Sequence, residues 1–393
     1  MNRYTMLFAP QAWKPNVSPT LVKFLRPFRD RQRKRLIQIP KVEVQGASIV
    51  QERLANGEGV MIMPNHSSHA DPYVIYSAAD QIGTALHVMA TWHVFDDKSW
   101  LARWILTKHG CFSVDREAND IGAFRLATSL LQEKPEPLVI FPEGEIYHCN
   151  ERITPFREGA AAIAVTAARK SNRPITCIPC AIRYSYVDDP TDSLLATMSE
   201  LESSIFWRPK TTEPLDKRIY DFAEVLLMVK ELEYLNTTQS GRLPERIASL
   251  REHVLSNVEN RNEIGGSTKS IPERVKAARK TIMEKRLAED QPAEQLQQLH
   301  HDMEDLFLVV QSFSYPGDYV DDHPSTDRMA ETIDKFEEDV LQKTTATIKA
   351  ERRVQVTFGE PVDVSSDRKV KSQTTTITAT IEQRVQEMLD MAK

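Results

Sequence analysis

The sequence predicts an α/β fold: a sheet flanked by helices, preceded by an amphipathic helical segment and interrupted by a large all-α insertion. Three observations lead there. Apolar runs that stop at turns and give way to helix-like segments recur between residues 59 and 184. From about 189 to 350 strand patterns vanish and helix formers dominate. A strand-like stretch, Val354–Val362, then returns, so the helices read as an insertion in one domain. The boundaries that follow are 1–42 for the N-terminal segment, 43–188 for the core, 189–350 for the insertion, and 351–393 for a final strand and helix of the core.

The first unit begins with the apolar run Gly59–Pro64, which stops at Asn65-His66-Ser67-Ser68-His69-Ala70-Asp71-Pro72. A buried strand ending here puts a histidine and a carboxylate on an exposed turn. A neutral imidazole takes a proton near pH 7. A carboxylate five residues on folds back, holds one ring nitrogen and stabilises the charge that develops. The ordinary alternative is a helix start, with Asp71 as N-cap and Pro72 at the first helical position. A second His-x4-Asp match, His300…Asp305, reads as the polar face of a helix. A metal site at His66, His69 and Asp71 is a further alternative, but the spacing lacks the helical histidine pair of one class of zinc enzymes. Of the four cysteines, only Cys177 and Cys180 form Cys-x-x-Cys. They lie in a strand pattern, and no second pair completes a zinc site. No metal is expected, and His69 reads as a turn residue beside the site.

Gly110-Cys111-Phe112-Ser113-Val114-Asp115-Arg116 is a short alternating strand ending in an acidic-basic pair. Pro137–Phe141 runs into Pro142-Glu143-Gly144-Glu145, a carboxylate beside a glycine that permits close backbone approach. Thr154-Pro155-Phe156-Arg157-Glu158-Gly159 then opens an alanine-rich helix, Ala160–Ala168, and a fourth strand spans Ile175–Tyr184. Open α/β sheets bind ligands at the carboxyl ends of their strands. His66, Arg116 and Glu143 each fall at such an end.

In this order the blocks resemble those of the glycerolipid acyltransferases of the lysophosphatidic acid acyltransferase type. The similar stretches are Asn65–Pro72, Gly110–Arg116, Phe141–Gly144 with Phe156–Gly159, and the strand ending Ile178–Ile182, with Val354–Val362 like the family's last strand. The resemblance covers roughly 43–188 and 351–393. It implies a mixed central sheet and transfer of an acyl group to a lipid hydroxyl from a thioester on coenzyme A or acyl carrier protein, with no other cofactor. His66 is then the general base, oriented by Asp71. The thiol leaving group, with a pKa of ~8.5, needs little acid help. No Gly-x-Ser-x-Gly elbow is present, in keeping with direct attack. Glu143 and Gly144 would bind the acceptor. One departure stands out: the family commonly follows Pro-Glu-Gly with Thr and then Arg or Ser, the Arg form going with a phosphate-bearing acceptor, whereas Gly144 is followed by Glu145-Ile146. Arg116, Lys108 or Arg157 could supply the missing cation. Lysophosphatidic acid is the expected acceptor. Glycerol 3-phosphate, a phosphate-free lipid, and a catalytically inactive membrane scaffold are the alternatives.

Composition narrows the setting. Charged residues make up 27% of the chain and the net charge is −6, which argues against a general nucleic-acid binder. Few, unpatterned cysteines suit a reducing cytoplasm. No apolar stretch approaches the eighteen or so residues of a spanning helix, and the N-terminus lacks a secretory-signal layout. The first 42 residues carry ten basic side chains against Asp30, a net +9. Within Ser18–Ile39 apolar residues interleave with these, as in a helix lying on an anionic bilayer, with Pro27 a point of breakage. The expected location is therefore cytoplasmic, peripheral on the inner face of the membrane. In the insertion the candidate helices are Leu215–Leu235, Pro244–Asn260, Pro272–Ala288, Pro292–Phe313 and Thr326–Glu351, punctuated by Gly265–Thr268 and Tyr315–Asp318. Its expected role is a packed cover or oligomer contact, with a lid or a docking site for carrier protein as the sharper alternative.

Overall fold

A computed structural model describes residues 11–96, 98–116, 120–206, 208–265, 270–288, 292–321 and 323–392. Residues 1–10 of the basic segment, with Arg3, and Gly266, Ser267 and Thr268 of the glycine-rich turn lie outside the described residues. The chain forms two compact units. One comprises residues 11–116, 120–189 and 348–392; the other comprises 190–347.

The first unit is built on a mixed sheet of eight strands among the described residues. These are β1 (Val42–Gln45), β2 (Gly59–Pro64), β3 (His87–Thr91), β4 (Cys111–Val114), β5 (Leu138–Val139), β6 (Ile175–Tyr186), β7 (Arg352–Phe358) and β8 (Val362–Val364). The order is β1-β7-β6-β2-β5-β3-β4, with β8 also on β6. From β6 through β4 every pairing is parallel, whereas β7 and β8 run antiparallel to β6. β2 is buried along its whole length, as its unbroken apolar run requires when both faces are covered. On one face Val60 and Ile62 pack with Val74, Ile75 and Ala78 of α4 (Asp71–Ile82). On the other, Met61 and Met63 meet α8 (Gly159–Ala168) and α15 (Gln373–Met391) through Ala160, Ala164, Ile377 and Ile381. Gly59 is required by close approach: a Cβ there would sit 2.2 Å from the Leu131 carbonyl oxygen.

β1 and β3 were not anticipated, and the N-terminal segment is two helices rather than one. α1 (Pro19–Phe24) and α2 (Arg26–Arg35) meet at Leu25, with Pro27 in the first turn of α2, where its missing N–H goes unneeded. Asp71 is the first residue of α4 and Ala70 its cap, so Asp71 is not the N-cap. Among the described residues no helix is long and apolar enough to cross a membrane.

The second unit is all helix: α9 (Thr191–Ile205), α10 (Leu215–Leu235), α11 (Leu243–Arg261), α12 (Ile271–Leu287), α13 (Ala293–Gln311) and α14 (Thr326–Val340). α9 was not anticipated. α14 ends eleven residues before the expected Glu351, because the chain turns back and Thr347 donates its N–H and hydroxyl to Glu337. Inside, Phe222 packs edge-on to Phe336, and Arg218 forms a buried 2.8 Å ion pair with Glu202.

Candidate active site

Because β2, β5 and β4 run parallel, their carboxyl ends share one edge of the sheet, and His66, Glu143 and Arg116 all lie on the segments that leave it. His66 Nδ1 is 2.7 Å from Asp71 Oδ2, which also accepts the Ser68 N–H at 3.1 Å. Asp71 Oδ1 accepts the Tyr184 hydroxyl at 2.5 Å. A carboxylate so placed fixes the proton on Nδ1 and leaves Nε2 as the basic nitrogen. No other group among the described residues bonds to Nε2, and the side chain is 17% exposed. The imidazole stacks on Phe141, with ring centroids 4.2 Å apart. The sequence expectation of a carboxylate on an exposed turn is corrected on one point: Asp71 is fully buried, and only the histidine reaches the surface.

Glu143 faces inward. Its Oε1 accepts the His66 backbone N–H at 2.7 Å, and its Oε2 accepts the Thr154 N–H at 3.1 Å and the Thr154 hydroxyl. Burial pushes its carboxyl up to about 7, against the pull of these three donors. With both oxygens engaged, Glu143 braces the His66 backbone. Gly144 is also structural. Its φ is +78°, its N–H donates to Phe141 O at 3.1 Å, and its carbonyl accepts Arg116 Nη1 at 2.5 Å. A Cβ here would lie 2.8 Å from the Arg157 guanidinium carbon, so Arg157 is laid against the glycine.

Of the proposed cations, Arg116 is engaged by Glu145, 2.8 Å away. Glu145, which stands where the family commonly has Thr, thus pairs with Arg116. Arg157 has no carboxylate within ion-pair distance among the described residues, and it opens the turn into α8, whose N-terminus favours anions. Lys108 closes α6 (Trp100–Lys108), at the amino end of β4 and therefore at the opposite edge of the sheet; the structure does not bring it to the site. His66, His69 and Asp71 do not converge as a metal-ligand set among the described residues.

Sequence reasoning missed Tyr184, Thr154, Phe141 and the anchoring role of Asn65. Asn65 Nδ2 donates to Ile182 O at 3.0 Å, and the Ile182 N–H donates to Asn65 Oδ1 at 2.7 Å. The only sequence signal was that Asn65 stood beside His66.

Residues 41–183 match the family model described as Acyltransferase. No curated protein matches the chain. The matched segment carries the whole His66–Asp71–Glu143 arrangement, and it supports acyl transfer of the O-acyltransferase class.

Proposed function

We propose that this protein moves a fatty acyl group from a thioester, on coenzyme A or acyl carrier protein, to the hydroxyl of a lysophospholipid, with lysophosphatidic acid the preferred acceptor. The observation that carries the chemistry is the His66–Asp71 pair, closed at Nδ1 and open at Nε2. Nε2 takes the hydroxyl proton as the oxygen attacks the thioester carbonyl; the C–S bond then breaks and the thiolate leaves. Asp71 stabilises the imidazolium formed on the way. The acceptor phosphate meets Arg157, which no carboxylate among the described residues occupies, in preference to Arg116. A phosphate-free acceptor is the second reading, favoured by the Arg116–Glu145 pair.

A lipid acceptor also calls for a membrane surface, and we place the protein on the inner membrane face. Support comes from Phe24, Phe28 and Leu36, exposed among Lys23, Arg31, Lys34 and Arg35, and from exposed Trp100, Leu101 and Trp104 on α6. The test is an acyl-transfer assay of the purified protein with both donor types over lysophosphatidic acid, glycerol 3-phosphate and a monoacylglycerol. Transfer to lysophosphatidic acid well above the others is the expected result. Transfer to the neutral lipid alone removes the phosphate assignment, and no transfer to any acceptor removes the activity.

A further inference from the structure

We infer that Tyr184 is a positioning residue for the reaction, its hydroxyl holding the Asp71 carboxylate in the orientation that aims His66. This rests on the acyl-transfer reading above. Tyr184 lies one residue beyond the segment that matches the Acyltransferase model.

The loop from Asn65 to Asp71 is tied to β6 at both ends. At its start, the Asn65 amide exchanges two hydrogen bonds with the Ile182 backbone. The β2–β6 ladder ends at Pro64–Cys180, and a side chain continues it in place of a strand. Asn150 repeats the device two residues further on, donating to Tyr184 O at 2.7 Å and accepting the Tyr184 N–H at 2.8 Å. Both Tyr184 backbone groups are thereby satisfied by the Asn150 amide, while Val354 of β7 is its neighbour in register. Its ring is buried, with the Arg352 guanidinium 5.0 Å over it. At the loop's far end the Tyr184 hydroxyl reaches Asp71 Oδ1. Burial, and then the Asp71 charge, hold the phenol well above its ordinary pKa, so the hydroxyl keeps the proton it donates.

Among the described residues Asp71 therefore receives three donors: the Tyr184 hydroxyl, the His66 ring and the Ser68 N–H. Glu143 and Cys180, both buried, also sense its charge. Without the phenol, Oδ1 is a buried carboxylate oxygen with no donor. That is costly, and it frees the carboxylate to rotate. It also leaves the full carboxylate charge to act on the His66 imidazolium.

The experiment compares wild type with Tyr184→Phe, which keeps the ring and removes only the hydroxyl. kcat should fall roughly tenfold, with KM for donor and acceptor little changed. The acid limb of the kcat–pH profile should move to higher pH, and the loss should vanish when Tyr184→Phe is made in an Asp71→Asn background, because the phenol acts through that carboxylate. An equal loss in both backgrounds, or an unmoved acid limb, overturns the inference and leaves Tyr184 as packing. The His66 imidazole titration followed by NMR needs no substrate and separates the two claims. If it moves to higher pH in Tyr184→Phe while wild type transfers no acyl group, the contact stands and the reaction falls. If it does not move, the positioning role falls whatever the activity.

Discussion

His66 is held from three sides: Asp71 at Nδ1, Phe141 against the ring, and Glu143 at its backbone N–H. His66→Ala should abolish transfer and, by removing one of the two donors on Asp71 Oδ2, lower Tm modestly with the fold kept; turnover above about a few per cent of wild type would sink the base assignment. Asp71→Asn is a different case. The amide turns a donor toward groups that already donate, so it should cost both activity and about 1–3 kcal/mol of stability, read by denaturant melts. Glu143 makes a pH prediction. Its folded carboxyl titrates at about 7 against an ordinary 4.5, so the folded state binds the extra proton between these values. The stability it contributes is full below about 4.5 and is lost as pH rises through about 7. Glu143→Gln should flatten that fall in a pH series of melts; an unchanged slope would assign it elsewhere. Arg157→Ala should lower kcat/KM for a phosphate-bearing acceptor roughly ten- to a hundredfold, and leave KM for the thioester nearly unchanged. The pair His66–Asp71 was legible because both residues sit on one short turn. Tyr184 was not, because 113 residues separate it from Asp71 and only the sheet brings them together. The Arg116–Glu145 pairing was hidden for the same reason: sequence showed a cation and an anion, not that they meet.

At the scale of elements, long periodic segments were readable and short ones were not. α10 falls on its expected residues, Leu215–Leu235, because twenty-one residues carry a helix pattern well. β1 is only Val-Glu-Val-Gln, and it is a strand because Val42–Gln45 align with Val354–Thr357 of β7, information no local window holds. The basic N-terminal segment was read correctly as helical and charged, but not all of its charge faces outward. Arg29 is bound to Asp80 at 2.8 Å, and Arg33 is buried against the Ile39 carbonyl. A charge-reversal test of membrane binding must therefore spare those two. Arg31, Lys34 and Arg35 are exposed, and changing all three to Glu should weaken co-sedimentation with anionic vesicles. Raised salt should act in the same direction. A second variant, Trp100→Ser with Trp104→Ser, should weaken it further by removing aromatic side chains that are 76% and 44% exposed. Binding unchanged in both variants would rule out these surfaces as the membrane contact.

At the scale of the whole molecule, the helical unit sits in the turn of a β-hairpin. β6 and β7 pair antiparallel as far as Tyr186 opposite Arg352, and the Val187 N–H donates to Glu351 O at 2.9 Å. The chain thus leaves and rejoins the sheet unit at neighbouring points, about 5 Å apart as adjacent strands are. Within the sheet unit the hairpin is fixed by the register from Cys180 to Tyr186, the Asn150 clamp at Tyr184, and the Arg352 guanidinium over the Tyr184 ring. The catalytic candidates do too, since His66, Asp71, Glu143 and Arg157 all precede the insertion. Replacing residues 189–349 by a two-residue Asn-Gly turn should therefore leave a protein that melts cooperatively with an α/β circular-dichroism spectrum. Transfer that survives would assign the helical unit to cover or assembly; a folded variant that has lost transfer would assign it to substrate delivery. A variant that forms only aggregate, or that melts without cooperativity, would show that the sheet cannot close its hairpin without the helices.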